Sequence, residues 1–222
     1  MRVLNSSFLA AMFKSEDVRR KVINVVAAYS NYHSHIGTGR SPSSDTLTHH
    51  PTPPVDRANE RDFTPAQLYI LAHLAAYYAD ETDLFFVFVK LQKLIDEHFG
   101  AERIDKMVSQ LMALVRTLVP EIYAHFEDEE VPPNWAVPWL RHLLASQLRA
   151  PLVHRLWDVY FSCGDGPNLH VYVCVALLRE LRDTLLELDG EAIAQVLSRL
   201  PQVDIGQLVA QADNLRRDAR EM

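Results

Sequence analysis

Residues 134–164 restrict this chain more than any other stretch. Trp135, Trp139, Leu143 and Leu144 fall at helical spacing, and so do Leu152, Val153, Leu156, Trp157 and Tyr160. Pro138 and Pro151 sit near the starts of these two segments, where a missing N–H costs least. The pattern predicts two short amphipathic helices packed through indole rings. In the second, Arg155 and Asp158 are three apart and flank Trp157, which puts a cation and a carboxylate on one helical face. As a plain surface pair they would be worth only ~0.3–0.5 kcal/mol. The role expected of Arg155, Trp157 and Asp158 is therefore structural.

The same residues carry a family resemblance. Arg155-Leu156-Trp157-Asp158, followed by Val159-Tyr160-Phe161 and Gly164, resembles the R-I/L-W-D…F…G block of TBC domains, the Rab GTPase-activating family. Trp139-Leu140 resembles that family's preceding tryptophan helix. Leu169–Leu186 is similar to its next long apolar helix, and Glu191–Pro201 to the short one after it. The resemblance implies an all-α, single TBC-like domain and a Rab-type small GTPase as partner. Some TBC-like proteins serve as subunits of larger assemblies. The small TBC subunit of the tuberous sclerosis complex resembles this chain in size class and C-terminal helices, and a helical scaffold protein is then the alternative partner.

Bulk properties narrow the rest. At 222 residues, with hydrophobic residues at 48%, one large domain is expected. A net charge of −7 and a pI near 5.8 speak against a nucleic-acid surface and a polybasic membrane anchor. No apolar stretch reaches the ~20 residues of a bilayer span, so the chain is expected not to be an integral membrane protein. Cys163 and Cys174 match no zinc or redox spacing, which makes a reducing cytoplasm the default, with any endomembrane contact made through partners. The apolar run from Phe8 to Phe13 is short for a secretory core. Residues 1–13 read as a shortened start.

In chain order, Ser15, Glu16 and Asp17 suit a helix start, and Val18, Val22, Val25, Val26 and Tyr29 form a stripe that fades near Tyr32. Residues 34–62 are rich in Ser, Thr, Pro, His and Gly and read as a disordered polar insertion. His33, His35, His49 and His50 lack accompanying ligands at a metal spacing, so no metal and no cofactor is expected. Thr64, Pro65 and Gln67 spell a capping box before a helix that is apolar nearly all round. Asp80 caps a further helix to Phe99, ended by Gly100, and Ile104–Val119 is another, closed by Pro120. Glu121–His125 reads as a turn and Glu127–Glu130 as a solvated connector. Asn168 is the expected cap of a long helix that Gly190 breaks, and Val203–Ala219 is the last helix. The total is about nine or ten helices.

The TBC resemblance also implies a mechanism: an arginine from I-x-x-D-x-x-R and a glutamine from Y-x-Q-G stabilise the transition state of GTP hydrolysis on a bound Rab. An arginine supplied in trans can contribute ~10³–10⁵ in rate. Asp17-Val18-Arg19-Arg20 supplies D-x-x-R with Arg20, although Lys14 holds the isoleucine position and Arg20 falls within a predicted helix. Gln67 lies where the glutamine motif belongs, with Leu68 in place of the glycine. Each has a plainer role open to it, Arg20 as a surface arginine and Gln67 as part of the capping box. In the scaffold alternative, the first surface for a partner helix is Val203–Ala219, represented by Leu208 and Leu215, with burial of that stripe in the core as the competing reading.

Overall fold

A computed structural model describes residues 13–36, 63–162 and 164–221. Among them are eleven α-helices, one 3₁₀ turn and no strand, so the expected all-α architecture is what forms. Residues 37–62, with His49 and His50, lie outside the described residues, as do Cys163 and the apolar run through Met12.

Helix α1 (Glu16–Ile36) buries Val22, Val25 and Tyr29 and runs a turn past the expected end at Tyr32. Helix α2 (Pro65–Ala75) opens on the predicted capping box. The Gln67 N–H donates to Thr64 Oγ1 at 3.4 Å, and the Thr64 N–H donates to Gln67 Oε1 at 2.8 Å. From Tyr69 to Ala75 every residue of α2 is buried, which explains its lack of a polar face. Helix α3 (Glu81–Phe99) starts under Asp80, whose carboxylate accepts from the N–H groups of Thr82 and Asp83 at 2.8 and 3.0 Å. It ends at Gly100, a position that suits glycine because a Cβ there would lie 2.3 Å from the Asp96 carbonyl oxygen.

Helix α4 (Ile104–Leu118) is followed directly by α5 (Pro120–Asp128). The turn expected over Glu121–His125 is helix instead, as are the first two residues of the acidic connector, while Glu129 and Glu130 form the turn that follows. Pro120 occupies the first turn, and Ile122 and Phe126, four apart, are buried at 0% and 2% exposure. A 3₁₀ turn (Pro133–Trp135) leads into α6 (Ala136–Arg141). Leu143 and Leu144 do not continue that helix as their spacing suggested. They take left-handed φ values of 48° and 62°, which turn the chain back toward α7 (Ala150–Ser162). Such a conformation costs a branched residue ~1–2 kcal/mol. Both leucines are almost completely buried, and that burial offsets the cost.

Helix α8 (Gly166–Glu180) does not start under Asn168, which lies inside its first turn and donates from Nδ2 to the Asp165 carboxylate at 2.6 Å; Asp165 holds the cap position without a side-chain cap hydrogen bond. The long helix expected up to Gly190 ends earlier. It passes through Leu181 into a single turn, α9 (Arg182–Leu185), and Gly190 opens α10 (Gly190–Ser198) under an Asp189 cap. Helix α11 (Ile205–Glu221) packs along α8 and against α7. Ile205, Leu208, Ala212 and Leu215 are all buried on that contact. A partner helix would therefore meet other sides of α11, because Leu208 and Leu215 are each only 2% exposed.

Candidate functional site

The tryptophan block forms a hydrogen-bonded hairpin. Trp135, Trp139 and Trp157 are 8%, 0% and 3% exposed. Trp139 Nε1–H donates to the Leu197 carbonyl at 2.9 Å, tying α6 to α10. Trp157 Nε1–H donates to the Leu143 carbonyl at 3.1 Å and so secures the left-handed turn. His170, on α8, donates from Nε2 to the Trp139 carbonyl at 2.9 Å, so its Nδ1 accepts from the Tyr160 hydroxyl at 2.7 Å. Complete burial pushes the His170 pKa down to about 4, and the ring is neutral.

A second polar clasp joins α2 to α7. His73 donates from Nε2 to the Ala145 carbonyl at 3.0 Å, and its Nδ1 accepts from His154 Nε2 at 3.3 Å. Burial lowers the His73 pKa to about 3. The Arg155–Asp158 pair expected on α7 does not form: both side chains are exposed, and neither makes an ion pair among the described residues. Gly164 has φ +69°, the left-handed region open to glycine, in the turn between α7 and α8. Trp139 and Trp157 thus tie elements of the block together, whereas Arg155 and Asp158 make no contact of that kind among the described residues.

The two residues singled out for chemistry are not brought together. Gln67 stands at the start of α2, where its Nε2 donates to the Tyr29 hydroxyl at 3.4 Å. Arg20 lies beside the other end of α2. Its exposed guanidinium pairs with Asp17 at 2.8 Å and lies 3.8 Å from Glu81, the first residue of α3. One residue further, Lys21 donates to the Tyr78 carbonyl just past the end of α2. Along α1, Arg20 and Tyr29 are separated by roughly 13 Å of helix axis.

Gln67 instead lines a pocket of about 620 Å³. Its buried floor is Tyr29, Gln92, Ile95 and Gly100, and its half-buried wall includes Thr64, Ala66, Gln67 and Arg141. Asp96, Glu102 and Arg103 form an exposed rim. Sequence reasoning missed Gln92 and Arg141. A glutamine on the buried stripe of α3 was the one local sign available, since such a side chain needs a partner. Among the described residues no group of three metal-ligating side chains gathers, and no helix is long and apolar enough to cross a membrane.

Comparison with known proteins follows the same lines. The Rab-GTPase-TBC domain matches residues 2–186. The human TBC1 domain family member 22B is 33% identical over 146 residues, covering 61% of this chain and 29% of that protein. The mouse TBC1 domain family member 13 is 27% identical over 143 residues, with coverages of 61% and 36%. This chain thus spans about a third of the length of such relatives. The crystal structure of the Ypt/Rab-GAP domain of Gyp1p superposes with a TM-score of 0.57 at 25% identity, over 69% of this chain and 56% of that one.

Proposed function

The chain belongs to the Rab-GTPase-TBC domain family, and on that premise we propose that it regulates a Rab-type small GTPase, docked over the pocket at the start of α2. The observation that carries this reading is Gln67: it lines an open pocket at the N-terminus of a buried helix, in the stretch where the family's glutamine motif belongs. The glutamine side chain is the element of the two-residue mechanism that stands at a cavity large enough to receive part of a partner. Any association with endomembranes would come through that partner.

Single-turnover GTP hydrolysis across a panel of Rab proteins tests the proposal. The expected result is acceleration of at least one member, reduced by Gln67→Glu, which preserves the capping box while removing the amide donor. If no member is accelerated and none binds in a nucleotide-dependent way, the proposal is wrong.

A second reading, a catalytically inactive scaffold that presents its helices to a partner, is favoured by one observation. Arg20 and Gln67 stand at opposite ends of α2, and Gln67 is already engaged in its cap. This reading expects binding without acceleration, and no change on Arg20→Ala. Loss of stimulation in Arg20→Ala would refute it.

A further inference from the structure

A strip of aromatic rings runs from the pocket at the start of α2 out to solvent. Tyr29, on the pocket floor, meets Phe88 at 5.1 Å and Phe63 at 6.1 Å between ring centroids, and Phe63 lies 5.9 Å from Phe88. Nearly one turn further along α1, Tyr32 meets Phe85 at 5.9 Å, and Phe85 meets Phe86 at 5.4 Å. Tyr29 and Phe88 are core residues. The outer rings are not: Tyr32 is 42% exposed, Phe86 is 63% exposed and Phe85 is half-buried.

Helix register turns this strip to the side of the pocket. Phe85, Val89, Gln92 and Asp96 are spaced four, three and four residues apart, a single stripe of α3. The last two line the pocket, and the first touches the ring of Phe86. Gln92 and Phe86 are separated by roughly 9 Å of helix axis. Around Phe86, the residues Thr82, Asp83, Lys90 and Lys93 are exposed and polar. A lone exposed ring needs no explanation. Rings joined edge to face, rimmed by polar side chains and opening from a cavity, have the character of an interaction surface.

We infer that Tyr32, Phe85 and Phe86 form an apolar arm of the docking surface, and that Phe86 packs on an apolar patch of the bound GTPase. The inference rests on the docking site proposed above and adds the contact that selects among GTPases. The pocket decides the occupant. A protein seated over it with an interface of ordinary size covers ~800 Å² of this chain, a disc of about 16 Å radius. The strip falls within that footprint. A GTPase docked at Gln67 therefore covers these rings, and an apolar patch opposite them makes their desolvation favourable.

The test measures the affinity of the full chain for each member of the Rab panel loaded with a GTP analogue, and KM and kcat for any member it accelerates. Phe86→Ser should raise Kd about tenfold. Where hydrolysis is accelerated, KM should rise by the same factor with kcat unchanged, because the ring lies away from the reacting phosphate. Phe86→Leu, which keeps an apolar contact, should restore most of the affinity, and Tyr32→Ser should weaken binding in the same direction. Tyr77→Ser is the control. Its ring is 62% exposed just past the other end of α2, and the substitution should change nothing. Thermal melts confirm that each variant is folded. Unchanged Kd in folded Phe86→Ser, or an equal loss in Tyr77→Ser, overturns the inference while leaving the GTPase reading intact. Self-association of the wild type that Phe86→Ser abolishes at unchanged GTPase affinity assigns the strip to a second copy and also overturns it. If the wild type binds no member of the panel, the docking reading itself fails and the inference falls with it.

Discussion

Replacing Trp157 with phenylalanine keeps an aromatic ring in the core but removes the Nε1–H that holds the Leu143 carbonyl. The consequence can be worked from the contacts. Leu143 and Leu144 are both in left-handed conformations and at most 2% exposed, so the abandoned carbonyl has no ready route to water. An unsatisfied buried acceptor costs about 1–3 kcal/mol. The smaller ring gives up on the order of 40 Å² of buried apolar surface, worth about 1 kcal/mol more. The expected loss is therefore about 2–4 kcal/mol. It would appear in urea denaturation as a lower midpoint at unchanged slope, and in a melt as a fall of roughly 5–10 °C. Phe161→Leu, one turn along at a ring that is 54% exposed, is the control and should stay within about 0.5 kcal/mol. If Trp157→Phe and Phe161→Leu cost the same, the indole does not secure the turn. The tryptophan block would then be ordinary core filling.

Two further outcomes follow from buried groups. His73 and His170 have their pKa values lowered by burial to about 3 and 4, whereas in the unfolded chain a histidine binds its proton near pH 6.5. Below that pH the unfolded state takes up protons that the folded state refuses. Stability is therefore complete above about pH 6.5 and falls toward pH 4 by up to about 1.4 kcal/mol per unit for each histidine; urea midpoints that stay flat from pH 7 to 4.5 would contradict this. Leu208→Asp or Leu215→Asp places a carboxylate in the α8–α11 contact and should destabilise the fold by about 3–5 kcal/mol. The alternative, loss of a partner at full stability, would show that these leucines serve an outside surface.

Much of the fold was legible locally. Thr64 with Gln67 and Asp80 with Thr82 cap their helices as the residues alone suggest, because a cap needs only three or four neighbours in sequence. The acidic run after His125 misled by its charge, which outweighed the Ile122–Phe126 spacing that makes α5 a helix. The break at Leu143 and Leu144 had no local sign. Neither residue is glycine or asparagine, and the conformation is held by an indole fourteen residues further along the chain.

What the sequence determined by itself was the class of fold, the caps of α2 and α3 and the tryptophan block by which the family is recognised, since periodicity and capping act within a few turns. Which side chains share a site was decided only by tertiary structure. Arg20 and Gln67 looked like partners by motif and lie at opposite ends of α2. Gln67, Gln92 and Arg141, from three different helices, meet around one pocket. The physical reason is that helix ends are placed by the packing of the whole core, and each residue's own neighbours carry no record of which ends will meet.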